Sequence, residues 1–155
     1  MTTIAWDLTT LATDSMCTMG STVFDTKMKK LYRNIGPFEV VCISGYPEEL
    51  ELVFPELETL DSLSTLNSLS EHEGLADSEL VLLTKVTHLA YLLNSAGLSQ
   101  LNKPWATGSG GRWAIAALDH GATAVEAIKY AATRDLNTNT RIQKYSIPNK
   151  CNKGN

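Results

Sequence analysis

The stretch that decides the fold reads TTIAWDLTTLATDSMCTMGST and covers residues 2–22. Two short runs within it, residues 4–6 and 11–13, have the composition of strands. The four residues between them, DLTT at positions 7–10, are typical of a tight turn, so the stretch predicts a β-hairpin. Gly and Ser at residues 20–21 then indicate a second turn that leads into another short strand.

The chain beyond this stretch adds more strand patterns and one poorly defined segment. Strands are predicted at residues 28–32, 38–44, 79–83, 88–93 and 105–107, with a connection at 94–102. Pro47 and the two acidic residues after it predict the start of a short helix. Residues 55–78 are dominated by Leu, Ser and Glu, and this composition is compatible with either helix or loop.

Two helices with clear boundaries are predicted nearer the C-terminus. The first covers residues 112–119 and ends before Gly121, which can adopt the left-handed conformation of a helix stop. The second begins with a capping box formed by Thr123 and Glu126. Its buried stripe is predicted to be Ala124, Ala127, Ile128 and Ala131. A final strand is predicted at residues 140–147.

Length and composition fit one α+β domain over residues 1–148, with antiparallel sheet covered by helices, and a polar flexible tail at 149–155. Of the 155 residues, 43% are hydrophobic and 19% charged, which is a globular composition. The net charge of −4 argues against a nucleic-acid partner, and no apolar run approaches the ~20 residues of a membrane span. The three cysteines lack metal-ligand spacing and no signal-peptide pattern is present, so we expect a cytoplasmic protein with neither metal nor cofactor.

Two threonines follow the initiator methionine, and they suggest a specific chemistry. Removal of Met1 would give Thr2 both a hydroxyl and a free α-amine. A threonine hydroxyl needs a base to become a nucleophile, and an α-amine with a pKa of about 7.7–8 can be that base. The arrangement works only at a chain terminus, because an amide nitrogen cannot accept the proton. Met-Thr-Thr is also a common beginning without catalytic meaning.

Four motifs resemble the start of proteasome β subunits and of the bacterial HslV peptidase, which are N-terminal nucleophile hydrolases. They are residues 2–6 (TTIAW), 11–15 (LATDS), 18–22 (TMGST) and 29–31 (KKL). In that family Thr-Thr-Ile leads to Ala-x-Asp-x-x-x-Thr-x-Gly and then to a lysine, and the separation of Asp14 and Lys30 matches the family without a gap. The hairpin before Asp14 is a few residues shorter, which a loop tolerates.

The resemblance resumes toward the C-terminus, in the family's order. Residues 106–111 (ATGSGG) match its Gly-Ser-Gly turn before a helix, and residues 121–127 (GATAVEA) are similar to its Ala-Ser-x-x-Glu-Ala helix start. Residues 131–138 (AATRDLNT) resemble a helix end that carries an active-site aspartate and, three positions later, a serine or similar residue. The resemblance implies a four-layer αββα sandwich of antiparallel sheets. Its helical segment would be reduced, because residues 45–78 are too few for the family's two long helices.

The resemblance also implies a role for each matched residue. Thr2 would be the nucleophile, Lys30 would keep the Thr2 amine neutral and stabilise the alkoxide, and Asp14 would orient Lys30. The polar cluster around the amine would consist of Ser109, Asp135 and Thr138. Gly45 would supply the backbone N–H that stabilises the oxyanion. The substrate cleft would be lined by Cys17, Thr18, Met28 and Tyr32.

These assignments predict a threonine-type peptidase or amidohydrolase that cleaves peptide or protein substrates. The family's ring assemblies imply a homo-oligomer, with an ATP-dependent unfoldase as a candidate partner. Alternatives stay open, since Asp14 and Lys30 could be a surface ion pair and residues 108–111 a plain turn or an anion cradle. Met16, where the family usually has a polar residue, and the short segment 45–78 fit a catalytically inactive, phage-type structural or assembly protein. An unrelated α+β binding domain is the third hypothesis.

Overall fold

A computed structural model describes residues 2–148, and the predicted tail at 149–155 lies outside the described residues. The strands are β1 (Thr3–Trp6), β2 (Thr10–Thr13), β3 (Cys17–Met19), β4 (Thr22–Asp25), β5 (Leu31–Ile35), β6 (Phe38–Ser44), β7 (Glu79–Thr84), β8 (Ala90–Asn94), β9 (Gly97–Gln100), β10 (Trp105–Gly108) and β11 (Gln143–Ser146). The helices are α1 (Pro47–Glu51), α2 (Phe54–Glu58), α3 (Leu63–Ser68), α4 (Gly111–Asp119) and α5 (Ala124–Ala132).

The strands form two main antiparallel sheets and a separate hairpin of β3 and β4. The first sheet has the order β10-β1-β2-β11, and the second has the order β5-β6-β7-β8-β9. The predicted hairpin at residues 7–10 joins β1 to β2. Asp7 closes its turn, because the carboxylate accepts hydrogen bonds from the N–H groups of Thr9 (3.0 Å) and Thr10 (2.7 Å).

Side chains alternate between the two faces of each strand, and this alternation builds the layers. The interface between the sheets contains Ile4, Trp6, Leu11, Val40, Cys42, Val81, Leu83 and Ala90. Ala5 and Ala12, on the other face of the first sheet, pack with α4 and α5. Val41 and Ile43, on the other face of the second sheet, pack with the leucines of α1 to α3. The predicted four-layer αββα sandwich of antiparallel sheets is therefore confirmed.

The helical layer over the second sheet is built from short pieces. Helices α1 and α2 are five residues long and α3 is six, and 3₁₀ turns follow at Leu69–Glu71 and Glu73–Leu75. Each piece carries one buried leucine, in chain order Leu50, Leu57, Leu66, Leu69 and Leu75. Full burial of a leucine contributes about 1.5–3 kcal/mol, so these side chains rather than helix length hold the layer in place. No helix among residues 2–148 is long and apolar enough to cross a membrane.

The predicted helix signals near the C-terminus are confirmed. Gly121, two residues after the end of α4, has a φ of +90°, and Thr123 Oγ1 accepts a hydrogen bond from the N–H of Glu126 at the start of α5. The buried residues of α5 are the four that the periodicity predicts, Ala124, Ala127, Ile128 and Ala131.

The strand predicted at residues 28–32 was wrong in its position, since β5 begins at Leu31. The reason is a glutamine from the first sheet. Gln143 Oε1 accepts hydrogen bonds from the N–H groups of Lys30 (3.0 Å) and Leu31 (3.1 Å), and its Nε2 donates to the carbonyl of Met28 at 2.7 Å. A side chain therefore binds the backbone groups that a neighbouring strand would otherwise pair.

The connection predicted at residues 94–102 was also wrong, because it contains β9. Gly97 and Ser99 give this segment little strand propensity, but the free edge of β8 supplies hydrogen-bond partners, with Leu92 paired to Ser99. The strands predicted at 88–93 and 140–147 are present as β8 and β11 with later starts, at Ala90 and Gln143.

Candidate active site

Thr2 directly precedes β1 and is held by the turn that follows β10. The N–H of Ser109 donates to the carbonyl of Thr2 at 2.8 Å. Gly108 has a φ of +93°, and a Cβ added there would lie 1.7 Å from the Thr2 carbonyl oxygen. Only glycine permits this approach, so the Gly-Ser-Gly turn fixes the backbone of Thr2. The residue is buried, with 3% of its surface exposed.

Asp14 and Lys30 form a buried ion pair next to β1. Asp14 Oδ1 lies 2.9 Å from Lys30 Nζ, and neither side chain is more than 3% exposed. The carboxylate also accepts hydrogen bonds from the N–H groups of Thr3 (3.1 Å), Met16 (3.2 Å) and Asn139 (3.2 Å). Lys30 Nζ donates in addition to the carbonyl of Met16 at 2.5 Å. These distances and the burial exclude the surface ion pair.

The buried environment of Lys30 strengthens the electrostatic effect of its charge on neighbouring groups. Burial lowers the pKa of the Lys30 ammonium, and attraction to Asp14 offsets this only in part. A charge held at a site of low dielectric constant acts on its neighbours more strongly than one on the surface. The hydrogen bond that the Lys30 N–H donates to Gln143 Oε1, described above, fixes the Lys30 backbone. The sequence did not identify Gln143, because no pattern near this residue indicates which backbone groups it binds.

A second polar cluster forms where the end of α5 meets the turn after β10. Asp135 Oδ2 accepts hydrogen bonds from Ser109 Oγ and Thr138 Oγ1, both at 2.6 Å. Its Oδ1 accepts from the N–H of Asn137 at 3.1 Å. Burial raises the pKa of the Asp135 carboxyl, but these hydrogen bonds outweigh it and the pKa lies below its ordinary value. Asp135 is therefore ionised at neutral pH.

Thr3 connects the two clusters. Its N–H donates to Asp14, and its Oγ1 lies 2.6 Å from Thr138 Oγ1. Thr3 Oγ1 also accepts a hydrogen bond from the N–H of Gly110 at 3.1 Å. Sequence reasoning overlooked Thr3, although strand alternation places it on the same face of β1 as Ala5, toward α5.

A small pocket brings Thr2, Lys30 and Gly45 together. Its remaining lining residues are Met16, Cys17, Met28, Ile43 and Pro47. The walls are thus mainly aliphatic and sulfur-containing, while the hydroxyl-bearing Thr2 and the Lys30 ammonium are its polar groups. The arrangement places apolar groups next to a threonine and a lysine in a space of about 10 Å³.

The residues predicted for the substrate cleft divide into two groups. Cys17 and Met28 line the pocket. Within residues 2–148, the lining does not include Thr18 or Tyr32. Tyr32 instead packs edge-on against Phe54, with ring centroids 4.9 Å apart. The described residues contain no group of three or more His, Cys, Asp or Glu that could hold a metal ion.

The chain has the fold of the proteasome-type N-terminal nucleophile hydrolases. It matches eukaryotic HslV from Trypanosoma brucei with a TM-score of 0.74 and 20% identity, over 92% of this chain and 97% of that one. It matches BPH from Thiobacillus denitrificans with a TM-score of 0.67 and 17% identity, over 94% and 96% of the two chains. The complex of that protein with epoxomicin matches with a TM-score of 0.68 and 18% identity, over 94% and 97%. No protein-family model matches the sequence, and no curated protein matches it significantly.

Proposed function

We propose that this chain is a threonine-type peptidase or amidohydrolase whose nucleophile is Thr2, exposed by removal of Met1. The observation that carries the proposal is the pocket shared by Thr2, Lys30 and Gly45. In this proposal the three residues supply what acyl transfer requires, namely the hydroxyl of Thr2, the positive charge of Lys30 and the backbone N–H of Gly45 for the oxyanion. The buried Asp14 carboxylate holds the Lys30 ammonium in this position.

The reaction begins when Thr2 Oγ attacks the scissile carbonyl carbon and its proton passes to the α-amine of the same residue. The N–H of Gly45 stabilises the tetrahedral oxyanion. The Thr2 ammonium then gives the proton to the leaving amine, which departs and leaves an acyl ester on Thr2. Water, deprotonated by the same α-amine, hydrolyses the ester and restores the hydroxyl.

Lys30 has two tasks in this scheme. Its charge disfavours protonation of the Thr2 α-amine, whose ordinary pKa is about 7.7–8, so that the amine is a free base at neutral pH. The same charge stabilises the developing Thr2 alkoxide. Ser109 contributes through its backbone, because its N–H holds the Thr2 carbonyl while its Oγ is fixed by Asp135. Thr138 completes this second cluster.

Substrate and assembly belong to the same proposal. The substrate in this proposal is a peptide or protein with an apolar side chain, which would contact the apolar surface formed by Cys17, Met28 and Ile43. Assembly into a homo-oligomeric ring would keep a nonspecific hydrolase from free protein, and an ATP-dependent unfoldase would feed it. A cytoplasmic location is consistent with the odd number of cysteines, of which Cys17 and Cys42 are free thiols.

The second candidate function is a catalytically inactive structural or assembly protein of the phage type. Two observations favour it: helices α1 to α3 are only five or six residues long, and Met16 borders the pocket where the family usually has a polar residue. Such a protein would keep the sandwich and the buried ion pair for stability alone.

The test compares full-length protein with Thr2 as its first residue and protein that keeps an N-terminal tag before Thr2. Both are assayed on capped apolar tripeptide coumarin amides, and intact mass verifies the N-terminus. Thr2→Ala removes the nucleophile, and Thr65→Ala, an exposed threonine on α3, is the matched control. Epoxomicin, which is bound in the BPH complex, serves as a covalent probe.

The proposal requires hydrolysis and a mass increase with epoxomicin for the processed wild type and for Thr65→Ala, and neither for Thr2→Ala or the tagged protein. Equal hydrolysis by tagged protein would contradict the mechanism, because its Thr2 nitrogen is an amide. A folded, processed wild type that neither hydrolyses nor reacts would favour the inactive structural protein.

A further inference from the structure

Ser78, which directly precedes β7, lies against the backbone of Gly45. It is buried, with 4% of its surface exposed. A Cβ added to Gly45 would lie 2.1 Å from Ser78 Oγ and 2.6 Å from Ser78 Cβ. The side chain of Ser78 therefore fills the space that any side chain at position 45 would need. Gly45 also has a φ of +131°, a conformation that only glycine adopts easily.

Ser78 also binds the peptide that follows Gly45. The N–H of Tyr46 donates to Ser78 Oγ in a long hydrogen bond of 3.3 Å. On the other side of Gly45, Ser44 is held in the sheet by its pairing with Glu79. The strand ladder thus holds the chain before Gly45 at Ser44, and the serine hydroxyl holds the peptide after Gly45.

We infer that Ser78 is a positioning residue that orients the Gly45 peptide toward the pocket, an inference that rests on the proposed function. The Gly45 N–H lies in the planar peptide that joins Ser44 to the Gly45 Cα, so this peptide can turn unless it is restrained at Gly45 as well as at Ser44. An oxyanion donor is effective only when it is fixed before the charge develops. Ser78 supplies that restraint through contact with Gly45 and through the Tyr46 hydrogen bond, without touching substrate.

The experiment uses the processed full chain and three variants. Ser78→Ala removes the acceptor of the Tyr46 N–H, whereas Ser78→Cys keeps a similar shape with a weaker acceptor. Ser68→Ala is the matched control, because it removes a serine hydroxyl bonded to a backbone carbonyl, that of Thr65, on α3. Thermal unfolding verifies the fold, hydrogen exchange reports on the Tyr46 amide, and tripeptide coumarin amides give kcat and KM.

We expect Ser78→Ala to lower kcat roughly tenfold and to change KM by less than about twofold. The reason is that the variant loosens the Gly45 N–H, the donor to the oxyanion, but does not remove it. Ser78→Cys should lower kcat less, and the Tyr46 amide should exchange faster in both. Wild-type kcat in folded Ser78→Ala, or unchanged exchange at Tyr46, would overturn the inference alone. If Ser78→Ala does not fold, Ser78→Cys decides by the same criteria. An inactive processed wild type would overturn the proposed function and this inference with it.

Discussion

Thr3 Oγ1 and Thr138 Oγ1 lie 2.6 Å apart, and the direction of their hydrogen bond is determined by Asp135. A hydroxyl has one proton, and Thr138 gives its proton to the Asp135 carboxylate. Thr138 must therefore accept from the hydroxyl of Thr3, whose own oxygen accepts from the N–H of Gly110. The result is a directed chain of buried hydrogen bonds that ends on an ionised carboxylate.

The first prediction concerns this chain. Thr3→Val keeps the shape of the side chain but removes its hydroxyl, which leaves Gly110 N–H without an acceptor and should cost about 1–3 kcal/mol of unfolding free energy. Thr138→Val should be similarly costly, because it leaves Asp135 with fewer donors. Urea unfolding of both single variants and the double variant should give a coupling energy of at least about 0.5 kcal/mol. Thr65→Val, on the exposed face of α3, is the control, and strict additivity would refute the chain.

The second prediction separates charge from packing at the buried ion pair. Lys30→Met removes the cation and leaves the Asp14 carboxylate buried, which should cost about 3–5 kcal/mol of unfolding free energy. Adding Asp14→Asn removes that unpaired charge and should recover part of the loss. The measurement is chemical unfolding at neutral pH. A double variant less stable than Lys30→Met would show that the unpaired charge is not the main cost.

The third prediction is kinetic. Thr2→Ala and Lys30→Ala should each abolish hydrolysis of small apolar peptide amides in the processed protein, while the Thr2→Ala protein stays folded. Because residues of one catalytic unit are strongly non-additive, the double variant should be scarcely slower than either single one. Residual rates from single-turnover assays test this. Multiplicative losses would mean that Lys30 acts independently of Thr2.

The fourth prediction concerns acid stability and Asp7. Burial raises the pKa of the Asp7 carboxyl, but hydrogen bonds from the N–H groups of Ala124, Thr10 and Thr9 outweigh it, so the folded pKa lies below the unfolded one. The Asp7 contribution is thus present above the unfolded value of about 3.9 and is lost as pH falls through the folded value.

Asp7→Asn should therefore destabilise the protein by about 0.5–2 kcal/mol at neutral pH, since its carboxylate caps the N-terminus of α5 through Ala124 (2.8 Å). The difference from wild type should shrink as the pH is lowered from 5 toward 2, as followed by thermal unfolding. Asp61→Asn, on the exposed loop before α3, is the control. A difference that does not depend on pH would assign the effect to geometry rather than to charge.

The fifth prediction is a homo-oligomer. Enclosure of the active site in an assembly would keep a nonspecific hydrolase away from free protein. The short helices α1 to α3 make only one of the faces that could take part in assembly smaller. Light scattering at micromolar concentration should give a mass several times that of one chain. A monomer under these conditions would contradict the prediction.

The sequence alone determined the elements whose signals are local. The turn of residues 7–10 and the cap at Thr123 depend on side chains that bind backbone groups two or three residues away. The buried stripe of α5 follows from helical periodicity. The spacing of Asp14 and Lys30 could also be recognised from the sequence, because a motif keeps its order and separation when the loops around it change.

Only the tertiary structure decided the rest, because its contacts join positions far apart along the chain. Thr3 meets Thr138 across 135 positions, and Gln143 binds Lys30 across 113. Strand β9 forms because the edge of β8 offers it hydrogen bonds. Ser78 contacts Gly45 because the fold places the residue after β6 next to the residue before β7. No local pattern encodes such pairings, since each becomes favourable only after two sheets and two helical layers have brought the partners together.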